Sequence, residues 1–238
     1  MKICVCSLSI GEFYKKSTVL GTLSKKKYCD LYGYDFVDDE TYPETYDENK
    51  HPAWSKLNII KKCLSLNKYD IVVWMDADTL IMNAEIKLES FIDRYLGDKL
   101  FLLSRDNGNF INTGVWFIRT TNLEYTIDML DRVYRNEHNI DKDYEQGPFN
   151  ALYNEDISLQ EKSVILSVDM QKEFNTAICF YITGHFLVHF LAFRDLHILA
   201  YKMHSMYMFK FDGEDDETYT KRIDGIKAEY QICEWERK

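Results

Sequence analysis

The stretch IVVWMDADTLIMN, residues 71–83, sets the architecture of the chain. Five apolar residues, Ile71 to Met75, run without a break into Asp76, Ala77 and Asp78. An apolar run of this kind, bounded by polar residues, predicts a strand buried on both faces, as in a parallel sheet. Two carboxylates this close repel each other unless a cation sits between them or water screens them. Residues i and i+2 of an extended chain point to the same side, so both carboxylates are expected to face one point. Ligands of parallel α/β sheets bind beyond the carboxyl ends of the strands, which is where the pair falls. Hard oxygen ligands suit Mg²⁺ or Mn²⁺, which share their remaining positions with phosphate oxygens. The plainer reading is a strand end followed by a turn. Asp141-Lys142-Asp143 repeats the spacing in a polar stretch with no strand before it, so spacing alone is not the signal. Position after a buried strand is.

Working outward, residues 2–8 read as a first strand, 16–32 as a helix and 34–37 as a second strand. Residues 38–52 are polar, contain two prolines and read as a loop. Pro52 suits the first turn of the next helix, where Trp54, Leu57, Ile60, Cys63 and Leu64 recur at helical spacing. Beyond the aspartates, residues 88–96 read as a helix, 100–104 as a strand, Gly108-Asn109 as a turn, 113–118 as a strand and 122–136 as a helix. The β-α-β-α-β order predicts an α/β fold with a mostly parallel central sheet flanked by helices and a Rossmann-like nucleotide-binding half. Residues 1–211 are expected to form one domain. Residues 212–238 are expected to form a charged helical appendage.

Composition narrows the function. Of 238 residues 46% are hydrophobic, which supports a packed core rather than disorder. A net charge of −10 argues against non-specific nucleic-acid binding. The six cysteines, Cys4, Cys6, Cys29, Cys63, Cys179 and Cys233, form no CxxC pair and read as reduced, buried thiols of a cytosolic protein. No apolar run approaches the roughly 18 residues of a transmembrane helix, and residues 1–10 do not make a signal peptide. No GxGxxG motif is present, which argues against a dinucleotide cofactor.

A hydrophobic strand running into DxD has two well-known settings. In haloacid-dehalogenase-like phosphatases the first Asp, here Asp76, is a nucleophile. That motif usually lies on the first strand and carries Thr two residues after the second Asp, where this chain has Leu80. The other setting is the GT-A class of nucleotide-sugar-dependent glycosyltransferases, and here six blocks in order resemble glycosyltransferase family 34. They are KKKYCDLYGYDF (25–36), HPAWSKLNIIKKCL (51–64), VVWMDADTLIMN (72–83), FINTGVWFIRTT (110–121), DYEQGPFNALY (143–153) and the pair QKEFNTAI (171–178) with GHFLVHFLAF (184–193). Glycosyltransferase family 8 is similar to several of these and competes closely.

The resemblance implies a GT-A fold and a site. Asp76 and Asp78 would bind Mn²⁺ or Mg²⁺, and His189 would complete the shell. By itself, a histidine within FLVHFLAF reads more readily as a satisfied core residue than as a ligand. Leu191-Ala192-Phe193 replaces the family's x-Gly-Cys. Arg194 would hold the leaving diphosphate in a forked contact, or be a solvated helix-start residue. Glu145 and Gln146 match the family's pair beside the sugar, Gln146 with its amide oxygen facing the anomeric carbon and Glu145 accepting from sugar hydroxyls. Asn112 precedes Gly114, whose missing side chain would let a sugar approach the backbone, or simply serve a turn. In the loop from Ser7 to Ser17, Lys15 and Lys16 would approach phosphates or remain solvated.

The expected activity is therefore metal-dependent transfer of a sugar from a nucleotide-diphosphate sugar, UDP-linked by family majority, to a hydroxyl of a glycan or glycoprotein with retention. The alternatives are a phosphatase using Asp76 and a catalytically silent nucleotide-sugar-binding module. Without a membrane anchor, the chain is expected to be cytoplasmic, bacterial or virus-encoded, or a fragment of a longer protein.

Overall fold

The computed structural model describes residues 1–140, 142–191 and 193–236. Its main sheet has six strands: β1 (Ile3–Cys6), β2 (Asp35–Val37), β3 (Ile71–Met75), β5 (Phe101–Arg105), β6 (Ile111–Arg119) and β7 (Ser163–Leu166). They lie in the order β2-β1-β3-β6-β5-β7. All run one way except β6, which is antiparallel to both neighbours. The reversal comes from a tight hairpin between β5 and β6. Asp106 Oδ1 accepts from the backbone N–H groups of Gly108 and Phe110, and Asn109 takes a left-handed φ of 64°. A short connection of this kind can only join antiparallel strands. The sheet is thus mostly parallel, as the sequence predicts. A second sheet joins β4 (Thr79–Ile81), β9 (Leu187–His189) and β8 (Thr176–Ala177) in the order β4-β9-β8.

Strand alternation divides the core. Val72 and Trp74 face one side with Cys4, Cys6, Phe101, Leu103, Trp116 and Ile118. That side is covered by α2 (Ser55–Ser65), α4 (Leu123–Arg135), α5 (Gln146–Glu155) and α6 (Ile157–Glu161). Ile71, Val73 and Met75 face the other side with Ile3, Val5, Leu102, Val115 and Phe117, against α1 (Glu12–Tyr32) and α3 (Leu88–Phe91). A third cluster joins the small sheet to α7 (Leu196–Met206) and α8 (Asp216–Glu236), and Ile223 and Ile226 of α8 are buried in it.

The helices and strands read from the first half of the sequence are present, with ends shifted by a few residues. The helix over 88–96 is α-helical only to Phe91 and continues as a π-type turn over Ile92–Leu96. Cys4, Cys6, Cys29 and Cys63 are free and buried, but Cys179 is exposed, because Ile178–Phe180 is a surface turn rather than core. Asp141 and Ala192, both weighed in the sequence, lie outside the described residues. No helix among the described residues is long and apolar enough to cross a membrane.

Helix α1 lies close against the turn that follows β3. A Cβ at Gly21 would collide with the Ala77 carbonyl oxygen and come within 2.8 Å of the Thr79 carbonyl oxygen. Gly21→Ala should therefore destabilise the protein by about 1–3 kcal/mol in urea unfolding. This is opposite in sign to the roughly 1 kcal/mol that alanine gains over glycine inside a free helix.

Candidate functional site

Strand β3 ends at Met75, and Asp76 to Thr79 form a turn. The Thr79 N–H and hydroxyl both donate to the Asp76 carbonyl, at 3.1 and 2.7 Å. The turn, rather than the extended alternation expected from the sequence, is what gathers the two carboxylates. Asp76 keeps the orientation of Trp74 and faces α2. Its Oδ1 accepts from Trp74 Nε1 at 2.7 Å and lies 3.0 Å from Lys56 Nζ. Lys56 is only 5% exposed and also reaches Glu145 Oε1 at 2.5 Å and the Thr113 carbonyl at 3.2 Å. Burial alone would lower its pKa, but Asp76 and Glu145 outweigh burial and raise it above the ordinary lysine value. One cation is thus built into the acidic cluster.

His189 supplies the third side chain. β9 pairs antiparallel with β4, setting Thr79 opposite His189, and the Phe190 N–H donates to the Asp78 carbonyl at 2.9 Å. The imidazole Nε2 lies 3.6 Å from Asp76 Oδ2 and 3.4 Å from Asp78 Oδ1. Its Nδ1 meets Asn175 Oδ1 at 2.9 Å. The Asn175 amide is oriented by its own donation to Asn112 Oδ1 at 2.8 Å, an oxygen that also accepts from the Gly114 N–H. Asn175 therefore receives the Nδ1 proton, and Nε2 turns its lone pair toward two carboxylates. Three such donors repel one another unless a cation or a proton lies between them. Their ligand atoms fall within 4.8 Å of one another, a set that fits one divalent cation. Gly114 is required by the histidine itself: a Cβ there would collide with His189 Cε1. The space that the sequence reading left for a sugar is filled by the imidazole ring.

Behind the turn lies a second buried lysine. Lys25 of α1 is fully buried, and its Nζ donates to the Thr79 carbonyl at 3.0 Å and the Ala77 carbonyl at 3.4 Å. Burial pushes its pKa down to about 7, against the opposing pull of Asp78 and Asp76. Tyr14 is pushed up by burial and by the same two aspartates.

The site opens into a cleft of about 730 Å³, within the range of ligand pockets. Asp76, Asp78, His189, Asn112, Glu145, Gln146 and Arg194 all line it. Arg194 is exposed at its rim. Leu191 and Phe193, at the family's x-Gly-Cys positions, line it too. Glu145 is buried with Oε1 committed to Lys56 and, at 3.0 Å, to the Thr113 hydroxyl. The Gln146 amide oxygen accepts from the Thr113 N–H at 3.2 Å, so the atom assigned to the anomeric carbon is already engaged by backbone. Lys15 is not among the lining residues; it pairs with Asp39. Lys16 pairs with Glu12 on the helix surface at 2.7 Å.

Sequence reading passed over Lys56, Lys25 and Asn175. The two lysines left a signal. Lys56 shares a stripe with Ile60 and Leu64, and Lys25 with Gly21 and Cys29, so each is a charge at a core-facing position. Asn175 left none, because its role depends on a histidine met only through strand pairing.

Residues 14–94 match the model of the galactosyl transferase GMA12/MNN10 family, about a third of the chain. The structure is similar to a glycosyltransferase involved in the glycosylation of the major capsid of PBCV-1, with a TM-score of 0.68 at 16% identity, over 86% of this chain and 99% of that one. It is also similar to the glycosyltransferase GlyE of Streptococcus pneumoniae TIGR4, with a TM-score of 0.53 at 13% identity, over 96% of this chain and 64% of that one. The fold is GT-A. The resemblance to family 34 and the enzyme class read from the sequence, a glycosyltransferase, stand with this match and this architecture. Comparison with curated proteins gives no match.

Lys25 gives a pH signature. Its pKa of about 7 in the folded protein lies below the roughly 10.4 of an unfolded lysine. Between these values the unfolded chain binds more protons, so Lys25 makes stability rise with pH across that window and adds no pH dependence below about 7. Lys25→Met removes this contribution. The urea stability of the variant minus that of wild type should therefore decrease as pH rises from about 7 to about 10.

Proposed function

We propose that the protein transfers a sugar from a nucleotide-diphosphate sugar to a hydroxyl of a glycan or glycoprotein, with retention of anomeric configuration. The observation that carries this reading is the convergence of Asp76, Asp78 and the Nε2 of His189 in the wall of a cleft in a GT-A fold. These three side chains would hold Mn²⁺ or Mg²⁺, and the nitrogen donor favours Mn²⁺. Such an ion supplies charge neutralisation for the leaving diphosphate. UDP is the proposed nucleotide, on the family resemblance.

The chain's own residues do the rest. Lys56 holds Asp76 and Glu145 in register. The exposed Arg194 guanidinium suits a forked contact with diphosphate oxygens. The bond from the anomeric carbon to diphosphate breaks as the acceptor hydroxyl attacks from the same face, and the hydroxyl proton passes to a diphosphate oxygen. The transition state is oxocarbenium-like. Glu145 is bound to Lys56 and Thr113 and is a poor covalent nucleophile in that setting, which supports the front-face route. We assign Glu145 and Gln146 to the sugar end of the cleft, and Asn112 with Gly114 to the support of His189. The phosphatase alternative needs a free Asp76, whereas one Asp76 oxygen is bound by Trp74 and Lys56 and the other faces His189.

Incubation with a panel of nucleotide sugars, with Mn²⁺ or chelator, tests the reading. Mn²⁺-dependent breakdown of one donor without release of inorganic phosphate is expected. Phosphate release from a phosphomonoester would support the phosphatase, and binding without breakdown a silent module. Asp78→Asn should abolish Mn²⁺-dependent turnover while the thermal midpoint stays near that of wild type. Lys56→Met should lower turnover by at least about a hundredfold, as expected when a charge in a preorganised site is lost.

A further inference from the structure

We propose that Tyr144, stacked on His51, is the platform for a pyranose ring of the acceptor, a role that rests on the transferase reading above. Tyr144 is 47% exposed although aromatic. Its ring lies parallel to His51, with centroids 3.9 Å apart and an interplanar angle of 14°. Both residues line the same cleft as Asp76, Asp78 and His189. The stack covers one face of the tyrosine and leaves an exposed surface at the rim.

The backbone is held in an unfavourable conformation to present this ring. Asp143 and Tyr144 both take left-handed φ values, 63° and 49°, which non-glycine residues adopt at a cost. The conformation is enforced from below. The Gln146 N–H donates to the Asp143 carbonyl at 3.0 Å. Gly147 leaves room for the Lys142 carbonyl oxygen, with which a Cβ would collide. Strain that the surroundings enforce at the edge of a cleft points to a ligand contact.

The chemistry of the rim selects the ligand. Asp143, next to Tyr144 in the chain, and Asp106 both line the cleft. An amphipathic ring with carboxylates alongside suits a neutral polyhydroxyl ring, whose C–H face lies on the aromatic and whose hydroxyls donate to the carboxylates. The same carboxylates disfavour a phosphate. Topology places the platform on the acceptor side. Leu8, Ile10 and Tyr14, from the loop and helix after β1, line the part of the cleft where the first βα connection commonly receives a nucleotide. Tyr144 immediately precedes Glu145 and α5 and belongs to the β6 side of the sheet.

The test uses the full chain, with methyl glycosides of glucose, galactose, mannose and xylose as acceptor probes and UDP or GDP with Mn²⁺ as donor-side probes. Saturation-transfer NMR reads glycoside binding in the presence of nucleotide and Mn²⁺, and calorimetry reads nucleotide binding. At least one glycoside should bind wild type. Tyr144→Ala should weaken it by about tenfold, as expected for a lost aromatic platform. Tyr144→Phe should retain binding, and nucleotide affinity should stay within about twofold in both variants, with unchanged thermal midpoints. Loss of nucleotide affinity in Tyr144→Ala would assign the ring to the donor base and overturn the proposal. So would nucleotide binding by wild type with no glycoside bound, or glycoside binding indifferent to Tyr144→Ala. Failure of both nucleotides to bind with Mn²⁺ would remove the transferase reading, and this proposal with it.

Discussion

The pairing of Thr79 with His189 is the constraint on which the site depends. It ties the turn at the end of β3 to a segment more than a hundred residues later and brings an imidazole beside two carboxylates. The arrangement needs both sheets. The main sheet delivers Asp76 at the end of its buried strand, and the small sheet delivers His189. Gly114 keeps β6 thin where the two meet, because any larger side chain would occupy the position of the histidine ring. Asn175 then fixes which nitrogen faces the carboxylates.

The electrostatic problem posed by the aspartate pair is met by charges the chain carries itself. Lys56 bridges Asp76 and Glu145 within the cleft wall, and Lys25 binds the carbonyls on the far side of the turn. A protein of net charge −10 thus places two of its lysines inside, next to the turn that carries Asp76 and Asp78. The remaining pair of carboxylate oxygens and the imidazole are left facing one another, and that leftover repulsion is what a bound cation would relieve. Burial pushes the Asp78 carboxyl up, but the neighbouring His189 and Lys25 outweigh it and hold that carboxyl below its ordinary range.

Much of this was legible in the sequence because it is local. The buried strand over 71–75, the amphipathic helices and the Gly108-Asn109 turn each follow from spacing and turn chemistry within a few residues. The convergence of Asp76, Asp78 and His189 was reached only through resemblance, since no local pattern distinguishes a ligand histidine from a core one in FLVHFLAF. What remained hidden was tertiary. The turn geometry at Asp76, the closeness of α1 to Ala77, and the chain of contacts from Gly114 through Asn112 and Asn175 to His189 all join residues far apart in sequence. Asp76 and Asp78 converge through a turn rather than through extended alternation, because β3 ends one residue before Asp76. Gly114 makes room for the His189 ring, which only the packing of β9 reveals.

The claim at the centre is that one divalent cation is shared by Asp76, Asp78, His189 and a nucleotide diphosphate. Electron–nuclear double resonance of Mn²⁺ added to the protein tests it directly. A nitrogen coupling from one imidazole, absent in His189→Gln, should appear together with phosphorus couplings once the nucleotide is added. Phosphorus couplings with no protein nitrogen, or a spectrum identical to that of Mn²⁺ and nucleotide in buffer, would contradict the account.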